Sequence, residues 1–172
     1  MKATSKLTLA AALCGLAVSL NAQPTLADLV AEAQADWMVG TWVGYADDGT
    51  QVTQTFSWDL DKQVIVMRGS AGDMSWMGVT SIDPTTGEPR YVGWDNRGTH
   101  STGTWADEGG DVALRLESKQ PDGQTRKMAV VFGRASGGRL EIRFHGVDQW
   151  GYIDYPARFS IQLKKKAETK KS

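Results

Sequence analysis

Seven residues, Trp94 to His100, read "WDNRGTH" and place an acid, an amide, a guanidinium and an imidazole side by side. Asp95, Asn96, Arg97 and His100 could orient a ligand at the end of a strand, as polar loop groups do at a barrel mouth. The same residue types also dominate ordinary turns, where Asp and Asn bond to the backbone two residues on. Gln54 and Arg68 are of interest for a different reason. Gln54 lies between Val52 and Phe56, and Arg68 follows Val64 and Val66, so each interrupts an apolar face. A polar group turned toward a core needs a partner, at a cost of about 1–3 kcal/mol if it finds none. Either position sits over a wet or ligand-holding interior, or else at a rim. Trp76 and Trp94 complete the candidate binding set as aromatic walls.

Other chemistries find little support. The only histidines are His100 and His145, and neither shares a zinc-type spacing with other ligating residues; Asp59 and Asp61 flank a turn, where acids are common. No metal site and no cofactor are expected. No G-x-S-x-G motif occurs, and no phosphate-cradling glycine loop opens a helix. No catalytic residue is assigned. The enzymatic alternative is an acid–base pair made by His100 or His145 with a carboxylate inside a cavity.

The elements that would hold these residues follow from periodicity. Leu26, Leu29, Val30, Ala33 and Trp37 recur at three and four, and Thr25 with Asp28 forms a capping pair, which predicts a helix over 25–37. Past Gly40 the period becomes two. Val52, Phe56, Trp58 and Leu60 share one side, Val112, Leu114 and Leu116 another, then Leu140, Ile142 and Phe144, and finally Ile153 through Leu163. Turn chemistry separates the runs: "DDGT", "LDKQ", "SAGD", "DPTTGEP", "NRG", "DEGGD", "QPDGQ", "ASGG" and "VDQWG". About ten strands at roughly 8–12-residue spacing, with no helix between them, predict an all-β, antiparallel up-and-down barrel. A barrel of eight strands lies near the boundary between a filled and a ligand-holding interior, and ten would be wider.

The ends differ from the middle. Lys2 and Lys6 precede the apolar run Leu7–Leu20, followed by "NAQP", which predicts a signal peptide over 1–22 and export to the periplasm or beyond. The only cysteine, Cys14, lies within that segment, so residues 23–172 contain no thiol. The chain carries 19 Lys+Arg against 20 Asp+Glu; setting aside the signal and the tail from Lys164 leaves 12 against 19. A body this acidic is a poor nucleic-acid binder. The tail 164–172, "KKKAETKKS", is strongly basic and is expected to be a disordered end, or a weak contact to an anionic envelope surface.

Gly40-Thr41-Trp42 after a short helix, opening a β-meander, resembles the G-x-W start of lipocalin-like (calycin) barrels. The stretch "GVTSIDPTTGEPRYVGWDNRG" resembles a bacterial lipocalin-like family of unknown function, of the DUF1579 type. That resemblance implies a barrel of eight to ten strands plugged at one end. Because the helix runs directly into Gly40-Thr41-Trp42, Trp42 is read as the plug beneath the helix, with any site at the other end. Haem-binding relatives of such barrels use a histidine near the chain's end, which this sequence lacks. The expected function is a binding protein for a small, mostly apolar ligand, the alternatives being the acid–base enzyme or a structural envelope module.

Overall fold

The computed structural model describes residues 23–167, so the predicted signal segment and the last five residues of the tail lie outside the described residues. Thr25 caps α1 (Leu26–Glu32) with a reciprocal box: its Oγ1 accepts from the Asp28 amide at 3.2 Å, and Asp28 Oδ2 accepts from the Thr25 amide at 2.8 Å. That backbone bond holds the Asp28 carboxyl below its ordinary range. The helix stops earlier than its periodicity predicts. Gln34 takes a positive φ of 51°, and a separate 3-10 turn, Asp36–Met38, carries Trp37. The apolar spacing continues through both pieces because both pack on the same surface.

Ten strands follow: β1 (Gly40–Tyr45), β2 (Gln51–Asp59), β3 (Val64–Ala71), β4 (Met74–Ile82), β5 (Pro89–Asp95), β6 (His100–Glu108), β7 (Asp111–Lys119), β8 (Thr125–Ala135), β9 (Arg139–Gly146) and β10 (Phe159–Lys165). Every neighbour is antiparallel, and β1 pairs with both β2 and β10, so the sheet closes. Closure leaves no free edge. The fold is the expected up-and-down barrel.

Register fixes which residues face in. One row runs Trp42, Gln54, Gly69, Trp76, Asp95 across β1 to β5. The next runs Phe56, Met67, Gly78, Gly93, Ser101, Ser118 across β2 to β7. The inward core includes Trp42, Phe56, Met67, Tyr91, Leu114, Phe132, Leu140 and Leu163, all buried. The helix and the 3-10 turn seal one end. Trp42 Nε1 donates to the Met38 carbonyl at 2.7 Å, Arg134 donates to the Gln34 carbonyl at 3.0 Å, and the Arg134 guanidinium lies 5.0 Å over the Trp37 ring.

Three sequence expectations change here. Leu60 does not continue the inward face of β2: it begins the turn, with Leu60, Asp61 and Lys62 all at positive φ, and it is exposed. The last strand begins at Phe159 rather than Ile153 and continues to Lys165, two residues past the expected boundary. Residues 147–158 form a strap instead. It is pinned by an isolated Val147–Ile153 bridge and by an Asp148 side chain that accepts from the Trp150 and Tyr152 amides at 2.9 and 2.8 Å. A strap lying on a sheet also shows a two-residue period, which is why it reads as strand.

Candidate binding site at the open end

The turns between β1 and β2, β3 and β4, β5 and β6, and β7 and β8 gather at the end opposite the helix. There several inward-facing side chains are no longer fully buried, although Val52 and Ser118 still are. Trp76, Leu116, Met128 and Phe144 all face the bore by register, and all remain partly exposed. Their partial exposure means that solvent reaches these side chains at this end. Beneath them Met67, Tyr91, Leu114 and Ile161 are buried and form a floor. The result is a cup with apolar walls, closed below and open above.

Glycines set the width of the cup. Trp76 lies flat against Gly69, where any side chain would overlap the indole, and the Tyr91 ring lies across Gly78 and Gly93 in the same way. These rings therefore run along the wall, not across the bore. Trp76 is further fixed by a hydrogen bond from its Nε1 to Gln54 Oε1 at 3.2 Å. Gln54 in turn donates from Nε2 to the Thr55 and Arg68 carbonyls, both at 3.2 Å. Its amide is thus satisfied on both sides while 3% exposed, so it acts by holding the indole. Polar groups on the inner wall include a Ser101–Ser118 hydroxyl pair at 2.7 Å above the floor and, level with Tyr91 and Leu114, a bond from Trp105 Nε1 to Thr80 Oγ1 at 3.0 Å. Burial pushes the Tyr91 hydroxyl up to about 12, so it stays protonated in the ordinary pH range.

The eight residues proposed from sequence divide by position. Gln54 and Trp76 face the interior and touch each other. Asp95, Asn96 and Arg97 stand at the rim and are occupied with turn geometry. Asp95 Oδ1 accepts from the Arg97 and Thr99 amides, each at 2.9 Å; Asn96 bonds the Ser75 amide and the Asp73 carbonyl; Arg97 pairs with Asp73 at 3.2 Å. Arg68, Trp94 and His100 lie on the outer wall. Arg68 shares its face with Val64 and Val66, and that face is the outer one, so it does not interrupt the core. Trp94 is 48% exposed and packs 5.6 Å from the His100 ring.

His145 also projects from the outer wall, opposite Ala129 in register, so neither histidine supplies an acid–base group inside the barrel. Among the described residues no cluster of His, Cys, Asp and Glu could hold a metal. Sequence reasoning missed Leu116, Met128 and the Ser101–Ser118 pair. The signal for Leu116 and Ser118 was present, because both continue the inward alternation of Val112 and Leu114.

The rim carries a pH signature. Burial, the largest single influence, pushes the Asp95 carboxyl up, but hydrogen bonds from Thr99 and Arg97 and the Arg97 charge together hold it below its ordinary value of 3.8. A depressed folded value contributes stability that is full above the unfolded value and lost as pH falls through the folded one. Asp95→Asn should therefore be less stable than the parent at neutral pH. The gap should narrow below about pH 4, since only the parent has this carboxylate to protonate. Urea unfolding from pH 3 to 7 measures it, and a gap independent of pH would refute the assignment.

The closed ten-strand antiparallel barrel is consistent with a lipocalin-like fold, while no protein-family model matches the chain and no curated protein matches it in sequence.

Proposed function

We propose that this is an exported binding protein that holds a small, mostly apolar ligand in the cup at the open end of its barrel. The observation that supports this most directly is the graded exposure of inward residues. At the open end Trp76, Leu116, Met128 and Phe144 are apolar and partly exposed, while Met67, Tyr91, Leu114 and Ile161 beneath them are buried. Binding sites of this class are concave, apolar and largely preformed, with a few placed polar groups. Trp76 is the chief wall, held in place before ligand arrives by Gln54, which lowers the ordering cost of binding. The Ser101–Ser118 pair and the Asp95–Arg97 rim supply the nearest polar groups for orientation. The basic tail would add a weak contact to an anionic envelope surface.

Intrinsic fluorescence tests the reading, because Trp76 stands in the wall. Titration with fatty acids and retinoid-like probes should change tryptophan emission saturably and raise the melting temperature. Trp76→Ala should weaken binding at least about tenfold, the loss expected for a buried aromatic anchor. No saturable response to any probe of the panel, or a response unaltered by Trp76→Ala, would reject it.

A further inference from the structure

The helix end of the barrel concentrates positive charge that the acidic body otherwise lacks. The β8–β9 turn and the last residues of β10 enclose a groove of about 500 Å³, lined by Ser136, Gly137, Gly138, Arg139, Lys164 and Lys165. It lies opposite the cup, because β8 and β10 both run away from the open mouth. Every charged residue in the lining is a cation, and none of the three pairs with a carboxylate among the described residues. Glu141, two residues along β9 from Arg139, is engaged with Arg143 at 3.9 Å.

Two of these cations are held in place. Arg139 donates from Nε to the Ser136 carbonyl at 3.0 Å and from a terminal nitrogen to Ser136 Oγ at 3.2 Å. Lys165 lies along Gly40, where any side chain would overlap its Cε, and its ammonium donates to the Trp37 carbonyl at 3.4 Å. The Lys166 amide donates to the Thr41 carbonyl at 2.7 Å, which ties the end of β10 to β1. Lys164 stands in the costly position. Leu163 pairs with Leu140, so the next step of the register sets Lys164 opposite Arg139 on the outer face. Like charges directly opposite across antiparallel strands are destabilising. An anion between them removes that cost.

The turn adds donors of a second kind. The Gly49, Gly98, Gly123 and Gly151 amides each close a turn by donating to the carbonyl three residues back. The Ser136, Gly137 and Gly138 amides donate to no carbonyl among the described residues. Gly137 and Gly138, at φ of 71° and 69°, have open space where a side chain would stand. Successive turn amides form anion-binding concavities, and arginine and lysine beside them are phosphate partners. A phosphate presents its oxygens as a tetrahedron that can meet lysine, arginine and turn together, whereas a carboxylate presents a planar pair. The groove has the volume of a small-molecule site, which leaves room for an organic group on the phosphate. We propose that this groove binds a phosphate ester, its phosphate held between Lys164 and Arg139 with the turn amides as further donors. The site uses barrel residues and not the tail beyond them, and it is independent of the cup.

Calorimetry and thermal unfolding of the full chain with glycerol 3-phosphate, against acetate at matched ionic strength, test it. The ester should bind with a Kd of about 1 mM or tighter. At about tenfold that concentration it should raise the melting temperature by about 3 °C, and acetate should do neither. Lys164→Gln should weaken binding at least about tenfold, and Lys164→Arg should keep it. Without the ester, Lys164→Gln should melt no lower than the parent, since it removes the like-charge pair, and the ester should then raise the parent alone. Lys170→Gln combined with Lys171→Gln should leave soluble-ester binding within about twofold of the parent, because those lysines lie outside the groove. Vesicles of phosphatidylglycerol in phosphatidylcholine separate the two sources of the ester. Recruitment that Lys164→Gln abolishes assigns a lipid headgroup, and soluble binding without recruitment assigns a free ester. Binding of neither, acetate bound as well as the ester, binding that survives Lys164→Gln, or soluble-ester binding lost with the tail lysines would overturn the assignment.

Discussion

Trp42→Ala is expected to cost about 3–5 kcal/mol of folding stability, the range for removing a large buried aromatic. Trp42 is 3% exposed, sits edge-on to Trp37 with ring centroids 6.0 Å apart, and lies 5.3 Å beneath the Lys165 ammonium. Its Nε1–H also anchors the Met38 carbonyl, so one side chain joins β1, the 3-10 turn and the last strand. Alanine would leave a cavity under the helix and release the carbonyl together. Against a typical total of about 5–15 kcal/mol, that is a large fraction, and the variant should melt many degrees lower. Trp42→Phe separates the two contributions: it keeps most of the apolar volume and loses the hydrogen bond, so it should fall between parent and alanine. Urea unfolding of the three proteins reads both numbers. A loss under about 1 kcal/mol for the alanine variant would mean the helix end is sealed without Trp42.

The plug was legible in the sequence because its cues agree. A capped apolar helix, then Gly-Thr-Trp, then an alternating strand leave few places for the indole except beneath the helix. The cup was partly legible. Gln54 stood out as a polar residue between Val52 and Phe56, and it does face inward. Arg68 stood out by the same logic and faces outward, because β3 carries apolar residues on both faces: Ile65 and Met67 inside, Val64 and Val66 outside. Period two reveals that there are two faces without saying which is which. The polar run from Asp95 to His100 could not be resolved from residue types either. Its acid and amide satisfy local backbone donors, so the groups that looked available for a ligand are largely engaged. The strap was illegible for another reason. Ile153, Tyr155 and Ala157 run in phase with Phe159, Ile161 and Leu163, and only the outer wall distinguishes them. The clue lay elsewhere in the chain, in the small residues Ala113, Ala129, Val131 and Gly133 on what should have been a solvated face.

Gly78→Ala is the second large effect expected, and it links the floor of the cup to its width. A Cβ at Gly78 would overlap the Tyr91 ring and hydroxyl, and the Tyr91 hydroxyl is hemmed on its far side by Gly93. Tyr91 is 5% exposed, so the ring has no free surface to move into except the bore. Overpacking of this kind costs about 1–3 kcal/mol. Replacing Tyr91 by leucine first should remove most of that penalty, giving a coupling between the two positions of about 0.5–3 kcal/mol in a double-mutant cycle. Strictly additive losses would show that the ring does not rest on Gly78. The variant also reaches the binding reading. If the ring yields by swinging off the wall, it narrows the cup, and apolar probes should bind Gly78→Ala more weakly although Trp76 and Gln54 are untouched. Such a variant, folded but weaker in binding, would tie affinity to bore width and not merely to the presence of an indole in the wall.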